Sequence, residues 1–136
     1  IATRIVFQIR QGLLAPSSNI RLSVQGESIW LPAEQATRCS LVVNELVQNA
    51  IEHGTNIEKG GLVEVTLVDH GDSVSIVVQD DGQGLPEGFD LDSDAHLGLR
   101  IVKSMVERDL RGTLQLLSIE GTRVVVSFDK ALWGGE

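Results

Sequence analysis

The sequence is poor in the features that mark secreted, membrane-spanning and nucleic-acid-binding chains. Cys39 is the only cysteine among 136 residues, so no disulfide can form within the chain and nothing indicates an oxidising compartment. No apolar run approaches the ~20 residues of a membrane span, and no signal-peptide pattern opens the chain. Lys and Arg number 11 against 19 Asp and Glu, which gives a formal net charge of -8. An acidic surface offers no counter-charge to nucleic acid or an anionic membrane, so we expect neither partner. The lack of a membrane-span pattern and of a signal-peptide pattern predicts a soluble, cytoplasmic protein.

The spacing of apolar residues predicts alternating helices and hairpins. Ile5, Ile9 and Leu13 recur at helical spacing and predict a lead-in helix within residues 1–15, before a single domain over residues 16–136. The later predicted elements are a hairpin over 20–31, a long helix between Pro32 and Gly54, a hairpin over 62–79, a surface loop over 85–97, a helix from Gly98 to about Leu110 and a hairpin over 113–128. This order predicts an α+β fold, a two-layer α/β sandwich whose mixed, mostly antiparallel sheet carries the helices on one face.

The long helix has a polar row opposite its apolar stripe. At 100° per residue, four apolar side chains between positions 43 and 50 cluster on one side, and Glu45, Asn49 and Glu52 cluster on nearly the opposite side. A row of oxygen donors suits Mg²⁺, which keeps most of its waters and takes one or two protein ligands plus phosphate oxygens. A solvated polar face is the ordinary alternative, and the helix alone does not decide between the two.

Three glycine-containing segments follow this helix. Residues 80–84, DDGQG, end a predicted strand, where the glycines can take positive φ and let the backbone approach a flat ligand. The carboxylate at the strand end can accept a hydrogen bond from an exocyclic amine. Residues 97–99 open a helix, whose N–H groups can receive a phosphate, and residues 121–122 lie in the last hairpin. Each segment alone also fits an ordinary turn or helix start.

In order and spacing, residues 44–54, 80–84, 98–102 and 121–122 resemble the N, G1, G2 and G3 boxes of the ATP-binding domain of sensor histidine kinases. That superfamily also includes DNA gyrase, the mismatch-repair protein MutL and a heat-shock chaperone. The phrases NELVQNAIEHG, DDGQGLP and HLGLRIV look most like the kinase subgroup with a short ATP lid. The resemblance covers nearly the whole chain and implies a Bergerat-type ATP-binding fold with ATP and Mg²⁺ as cofactors.

The resemblance also implies roles for individual residues. Asn49 would be a Mg²⁺ ligand, and Glu45 would lie near the metal or act as a base. Asp80 would accept a hydrogen bond from the adenine N6 amine, in a pocket that includes Gly82 and Gly84. The remaining implied nucleotide contacts are His53, Leu85, His96, Leu97, Gly98, Leu99, Arg100 and Thr122.

The sequence departs from the family pattern near the phosphates. Glu52 stands where many relatives have a basic residue, which puts a phosphate contact from that position in doubt. The loop over 85–97 contains no Lys or Arg. His96 and Arg100 are therefore the nearest candidates to contact the β- or γ-phosphate.

The function implied is that of the ATP-binding catalytic domain of a two-component sensor histidine kinase, which transfers the γ-phosphoryl of ATP to a histidine. No segment resembles the acceptor-histidine box, so we expect that histidine on a dimerisation helix outside this chain. The implied partners are that histidine-bearing domain of the same parent protein and a response regulator, without direct membrane contact. Two alternatives stay open: an anti-sigma-factor serine kinase that acts mainly by partner binding, and a nucleotide-binding regulatory module without catalysis.

Overall fold

The computed structural model of the chain describes residues 2–5, 12–13, 20–26, 28–54 and 60–131, with side chains for 20–26, 28–52 and 60–131. Strands and helices alternate along these residues. In chain order they are β1 Ala2–Ile5, β2 Gly12–Leu13, β3 Ile20–Gly26, β4 Ile29–Pro32, α1 Ala33–Asn49, a π-helical turn Ala50–Gly54, β5 Gly61–Asp69, β6 Ser73–Asp80, α2 Leu91–Asp94, α3 Leu97–Ser104, a π-helical turn Met105–Asp109, β7 Thr113–Ser118 and β8 Thr122–Asp129.

The main sheet is mixed and mostly antiparallel, as the sequence predicted. Its strand order is β2-β3-β5-β6-β8-β7, and β1 pairs with β4 in a separate two-stranded sheet. β3 and β5 run parallel, and the other neighbours in the main sheet pair antiparallel. Two hairpins, β5–β6 and β7–β8, therefore form four of the six strands, with β6 and β8 as neighbours.

The hydrophobic core lies between this sheet and the helices. Alternate side chains of β5, β6 and β8 are buried on one face, and they pack against the apolar stripe of α1 and against α3. The buried members include Ala36, Cys39, Val42, Val43, Leu46, Val47, Val63, Val65, Leu67, Val74, Ile76, Val78, Val102, Val124, Val126 and Phe128. Each fully buried aliphatic side chain contributes about 1.5–3 kcal/mol. The two-layer α+β fold is confirmed, with the helices on one face of the sheet.

Cys39 behaves as the core residue that its helical position predicted. Its relative exposure is 2%, and desolvation by burial raises the pKa of its thiol to about 12. The thiolate, which is the nucleophilic form, is therefore not populated at neutral pH.

The helix predicted at the start of the chain is wrong for the residues that the structure describes there. Ala2–Ile5 is a strand that pairs antiparallel with β4, and Gly12–Leu13 is a strand that pairs with β3. Strand pairing supplies hydrogen-bond partners to backbone groups of β4 and β3. The free energy gained from these long-range hydrogen bonds exceeds the weak local preference for a helix. The rest of the predicted helix, residues 1, 6–11 and 14–15, lies outside the described residues. The division at residue 15 stays a prediction.

The hairpin predicted over 20–31 is also wrong. β3 lies beside β5, whereas β4 pairs with β1 in the other sheet. The alternation of apolar residues predicted both strands correctly, but it carries no information about which strand each one joins. The remaining predicted elements are confirmed, and the loop over 85–97 contains the single helical turn α2, whose N-cap Asp90 accepts a hydrogen bond from the N–H of Asp92.

Candidate functional site

A cavity of about 200 Å³ opens between the end of α1, the end of β6, the loop after β6 and the start of α3. Its lining is mostly apolar, with a small number of polar side chains. The lining residues are Leu46, Asn49, Ala50, Val78, Asp80, Gly84, Leu85, Pro86, Phe89, His96, Leu99, Leu116, Thr122 and Val124. Such a lining suits an organic ligand that is held by apolar contacts and oriented by a few polar groups.

Asp80 is the buried polar group on the sheet side of this cavity. The two-residue period of β6 places it on the same face as Val78, and its relative exposure is 3%. Its Oδ1 accepts hydrogen bonds from the backbone N–H of Gly82 at 2.9 Å and of Thr122 at 3.1 Å. These two bonds fix the plane of the carboxylate, and Oδ2 takes part in neither of them.

Glycines allow two backbone segments to approach closely beside Asp80. Gly84 has a φ of +81°, and a Cβ at that position would lie 2.5 Å from Ser118 Oγ. Gly121 has a φ of +122°, and a Cβ there would overlap the carbonyl oxygen of Asp80. Larger residues at either position would displace the loops that surround the carboxylate.

Asn49, the last residue of α1, lines the same cavity from the helical side. Its Nδ2 is buried and has no hydrogen-bond partner among the described residues. Its Oδ1 lies 3.1 Å from the point where a Cβ on Gly98 would stand. An unpaired buried amide is costly in a folded protein, so this group fits a ligand that supplies the missing partner. Rotation of the amide by 180° exchanges its two ends, so the position can present an acceptor or a donor.

The start of α3 lies next to Asn49. His96 is the N-cap residue of this helix, and its Nδ1 accepts a hydrogen bond from the N–H of Leu99 at 3.3 Å. Gly98, in the first turn, brings the backbone against the Asn49 side chain. A helix N-terminus directs N–H groups and a partial positive charge toward its surroundings, which favours an anionic ligand group at this end of the cavity.

The cavity brings together many of the residues predicted to contact a nucleotide. Those that line it are Asn49, Asp80, Gly84, Leu85, His96, Leu99 and Thr122. Gly82 and Gly98 lie beside it, since the first donates to Asp80 and the second approaches Asn49. Asn49 and Asp80 therefore line one cavity, Asn49 from the end of α1 and Asp80 from the end of β6.

Other predicted residues lie outside the lining. Glu45 is exposed on α1 one turn before Asn49, Leu97 is 72% exposed and Arg100 is exposed on α3. The backbone of His53 belongs to the π-helical turn after α1, but its side chain lies outside the described residues. The roles assigned to these residues stay predictions.

The structure adds cavity residues that the sequence reasoning did not name as contacts. Most belong to the apolar floor, which the periodicity assigned only to the core: Leu46, Ala50, Val78, Leu116 and Val124. The loop after β6 adds Pro86 and Phe89. Phe89 is the only aromatic residue in the segment 85–97. An isolated aromatic in a polar loop was the one signal that could have identified it.

Comparisons with known proteins agree with this geometry. The sequence profile of the family described as histidine kinase-, DNA gyrase B-, and HSP90-like ATPase matches residues 34–132. The chain is 36% identical over 124 residues to the sensor histidine kinase PdtaS of Mycolicibacterium smegmatis, with 89% of this chain and 25% of that protein covered. It is 32% identical over 111 residues to the blue-light-activated histidine kinase 2 of Erythrobacter litoralis, with 81% and 32% covered. The chain thus spans a quarter to a third of the length of these two relatives.

Solved structures show the same fold. The histidine kinase domain of a blue-light activated histidine kinase from Erythrobacter litoralis aligns with a TM-score of 0.72 at 31% identity, over 82% of this chain and 52% of that one. The catalytic domain of the histidine kinase ThkA aligns with a TM-score of 0.67 at 26% identity, over 82% and 80%. The profile match runs from the first turn of α1 to just beyond β8, and it includes both walls of the cavity. The chain therefore belongs to the histidine kinase-, DNA gyrase B-, and HSP90-like ATPase family.

Proposed function

We propose that this chain is the ATP-binding catalytic domain of a two-component sensor histidine kinase. The observation that carries the proposal is the shared cavity of Asn49 and Asp80. Among the described residues the Asn49 Nδ2 has no hydrogen-bond partner, and the two backbone hydrogen bonds to the Asp80 carboxylate both go to Oδ1. The relatives named above are sensor histidine kinases. Their names favour a histidine kinase over an anti-sigma-factor serine kinase.

The base of ATP is proposed to lie against the sheet side of the cavity. Asp80 Oδ2 would accept a hydrogen bond from the exocyclic amine, while Oδ1 remains bonded to the two backbone N–H groups. The apolar floor, which includes Val78, Leu116 and Val124, would cover the faces of the ring. A buried carboxylate that needs a donor selects adenine over a base with an acceptor at the same place.

The phosphates are proposed to lie toward α1 and the start of α3. His96 and the first turn of α3 lie beside Asn49, so side-chain and backbone donors meet at this end. Turned by 180°, the Asn49 amide would present its oxygen where the unpaired NH₂ group now lies, which fits a Mg²⁺ site with few protein ligands, because the phosphates supply the other oxygens. Asn49 would hold the ion, with Glu45 of the same helix face as a second oxygen donor or a base. When bound, Mg²⁺ would offset the negative charge on the phosphates.

The chain would act mainly by orienting ATP, because phosphoryl transfer requires positioning and charge stabilisation rather than covalent help. The attacking nitrogen would come from a histidine-bearing dimerisation domain of the same parent protein, and a response regulator would receive the phosphoryl group. In this chain, His96 is engaged as the cap of α3, and His70 lies in the β5–β6 turn with its Nε2 2.9 Å from Ser75 Oγ. Among the described residues, none of the helices combines the length and the hydrophobicity of a membrane span. A cytoplasmic location is part of the proposal.

Calorimetric titration of the chain with ATP, with and without Mg²⁺, tests the proposal. We expect one ATP per chain and tighter binding with Mg²⁺. Asn49→Ala should remove most of that Mg²⁺-dependent gain, about tenfold in affinity for one charge-assisted contact. Asn44→Ala is the matched control, since Asn44 is exposed on the same helix. An absence of ATP binding by the wild-type chain would refute the proposal.

Incubation with ATP labelled at the γ-phosphate tests where the acceptor lies. We expect no stable phosphohistidine on this chain, because none of its histidines resembles the acceptor. Acid-labile label on His53, His70 or His96 would show that the acceptor is internal.

A further inference from the structure

Gln79 immediately precedes Asp80, and its side chain lies on the other face of the sheet. Its Nε2 donates hydrogen bonds to the carbonyl oxygens of Asp80 at 2.7 Å and Ile119 at 2.9 Å. Its Oε1 accepts a hydrogen bond from Nε of Arg123 at 2.7 Å, and Arg123 is its direct cross-strand neighbour. Arg has donors only, so it fixes which end of the amide faces it and leaves the NH₂ group toward the two carbonyls.

The turn that Gln79 contacts also supports the carboxylate of Asp80. Residues 119–121 connect β7 to β8 in a loop closed by the pair Ser118 and Thr122. Glu120 has a φ of +49°, which is unusual for a residue with a side chain. Gly121, at a φ of +122°, lies directly against the Asp80 backbone. The N–H of Thr122, next in the chain, is one of the two donors to Asp80 Oδ1.

Gln79 is separated from the nucleotide cavity by the sheet itself. With Arg123, it lines a different cleft of about 300 Å³ on the outer face. Among the described residues, Asp80 alone is common to the linings of this cleft and the nucleotide cavity. The side-chain hydrogen bonds of Gln79 therefore connect it to the nucleotide cavity through Asp80, the turn 119–121 and Arg123.

We propose that Gln79 is a positioning residue for adenine recognition. Its NH₂ group donates hydrogen bonds to the carbonyl oxygens of both Asp80 and Ile119 from the outer face. These two bonds set the distance between the end of β6 and the β7–β8 turn. That distance determines where the N–H of Thr122 meets Asp80 Oδ1, and so where Oδ2 points. The inference rests on the proposed function, because it requires Asp80 to contact the adenine amine.

Gln79→Glu is the most selective substitution for a test. Glutamate has nearly the same shape and keeps an acceptor for Arg123, but it replaces the NH₂ group with an oxygen that faces two carbonyl oxygens. The turn should then move away from β6. Arg123→Leu is a milder second variant, because it leaves both carbonyl acceptors in place and releases only the orientation of the amide.

The experiment compares ATP with the triphosphate of purine riboside, which lacks the exocyclic amine, by calorimetry on the same variants. In Gln79→Glu we expect ATP to bind about tenfold more weakly, while the amine-free nucleotide keeps its wild-type affinity. Arg123→Leu should shift the ratio of the two affinities in the same direction. Gln115→Glu is the control, since Gln115 is an exposed glutamine of β7. It should leave the ratio unchanged.

The outcomes separate the inference from the function on which it rests. Equal weakening of both nucleotides in Gln79→Glu would indicate a general structural role and overturn the inference. An unchanged ratio in both variants, with the wild-type chain binding ATP normally, would also overturn it while the proposed function stands. If the wild-type chain bound ATP and the amine-free nucleotide equally well, the assignment of Asp80 would fail, and this inference with it.

Discussion

Asp80→Asn tests the two oxygens of the carboxylate separately, because Oδ1 is bonded to the backbone and Oδ2 is proposed to contact the ligand. Oδ1 accepts two backbone hydrogen bonds, and Oδ2 accepts neither. Asparagine has the same shape, so its oxygen can retain both backbone bonds and its NH₂ group then takes the place of Oδ2. In ATP binding, that NH₂ group would face the exocyclic amine of adenine, donor against donor.

The expected loss of ATP affinity follows from the hydrogen bond between Asp80 and the adenine amine that the substitution removes. A hydrogen bond to a charged group contributes about 1.5–3 kcal/mol, so ATP affinity should fall roughly 10- to 150-fold. The free energy of unfolding should change by only about 1 kcal/mol, because both backbone N–H groups keep an acceptor. Binding and folding are thus expected to respond very differently to this substitution.

Calorimetry and urea denaturation of the same samples measure the two quantities. Asp81→Asn is the matched control, since Asp81 is exposed and its Oδ1 accepts a hydrogen bond from the N–H of Leu62 instead. It should leave ATP affinity unchanged. An Asp80→Asn variant that binds ATP as tightly as the wild-type chain would refute the reasoning.

Three further substitutions test other parts of the structure. Gly84→Ala should lower both ATP affinity and stability, the latter by about 1–3 kcal/mol in urea denaturation, because its Cβ meets Ser118 Oγ at a positive φ. Gln35→Leu should cost about 1–3 kcal/mol of stability without altering ATP affinity, because Gln35 is buried and its amide donates to the carbonyl of Asp129 at the end of β8 and accepts from the N–H of Ala131 just after it. An unaltered urea midpoint would contradict this. The hydrogen bond from Lys130 lowers the pKa of Asp69. The ionised Asp69 therefore stabilises the fold above the unfolded pKa of about 4, and this contribution is lost as pH falls through the native pKa. Lys130→Met should therefore flatten the acid limb of stability measured by circular dichroism, and an identical limb in both proteins would exclude this pair as a contributor.

Local patterns predicted the elements whose partners are near in sequence. The period of apolar residues gave α1, and alternation with an intervening turn gave the β5–β6 and β7–β8 hairpins. The first part of the chain was predicted less well, because β1 and β2 depend on pairing with β4 and β3. The residues of a short segment do not determine which distant strand will pair with it.

Part of the site could be predicted from a short motif of a carboxylate followed by glycines. The family resemblance of the carboxylate-and-glycine segment after β6 named Asp80 as a pocket residue, and Asp80 lines the cavity. Arg100 was named for its proximity in sequence to Gly98, but two residues along a helix rotate its side chain by about 200° from Gly98, and its role stays a prediction. Gln79 could not be predicted at all, because its partners Ile119 and Arg123 lie on the far hairpin and only the folded sheet brings them together.

The central claim is that Asn49 and Asp80 serve one ligand, and amide NMR during a titration with ATP and Mg²⁺ tests it most directly. We expect the side-chain amide of Asn49 and the backbone amides of Gly82, Gly98 and Thr122 to shift along one binding curve with a single dissociation constant. Signals that changed at only one wall of the cavity, or that followed two unrelated curves, would contradict the account.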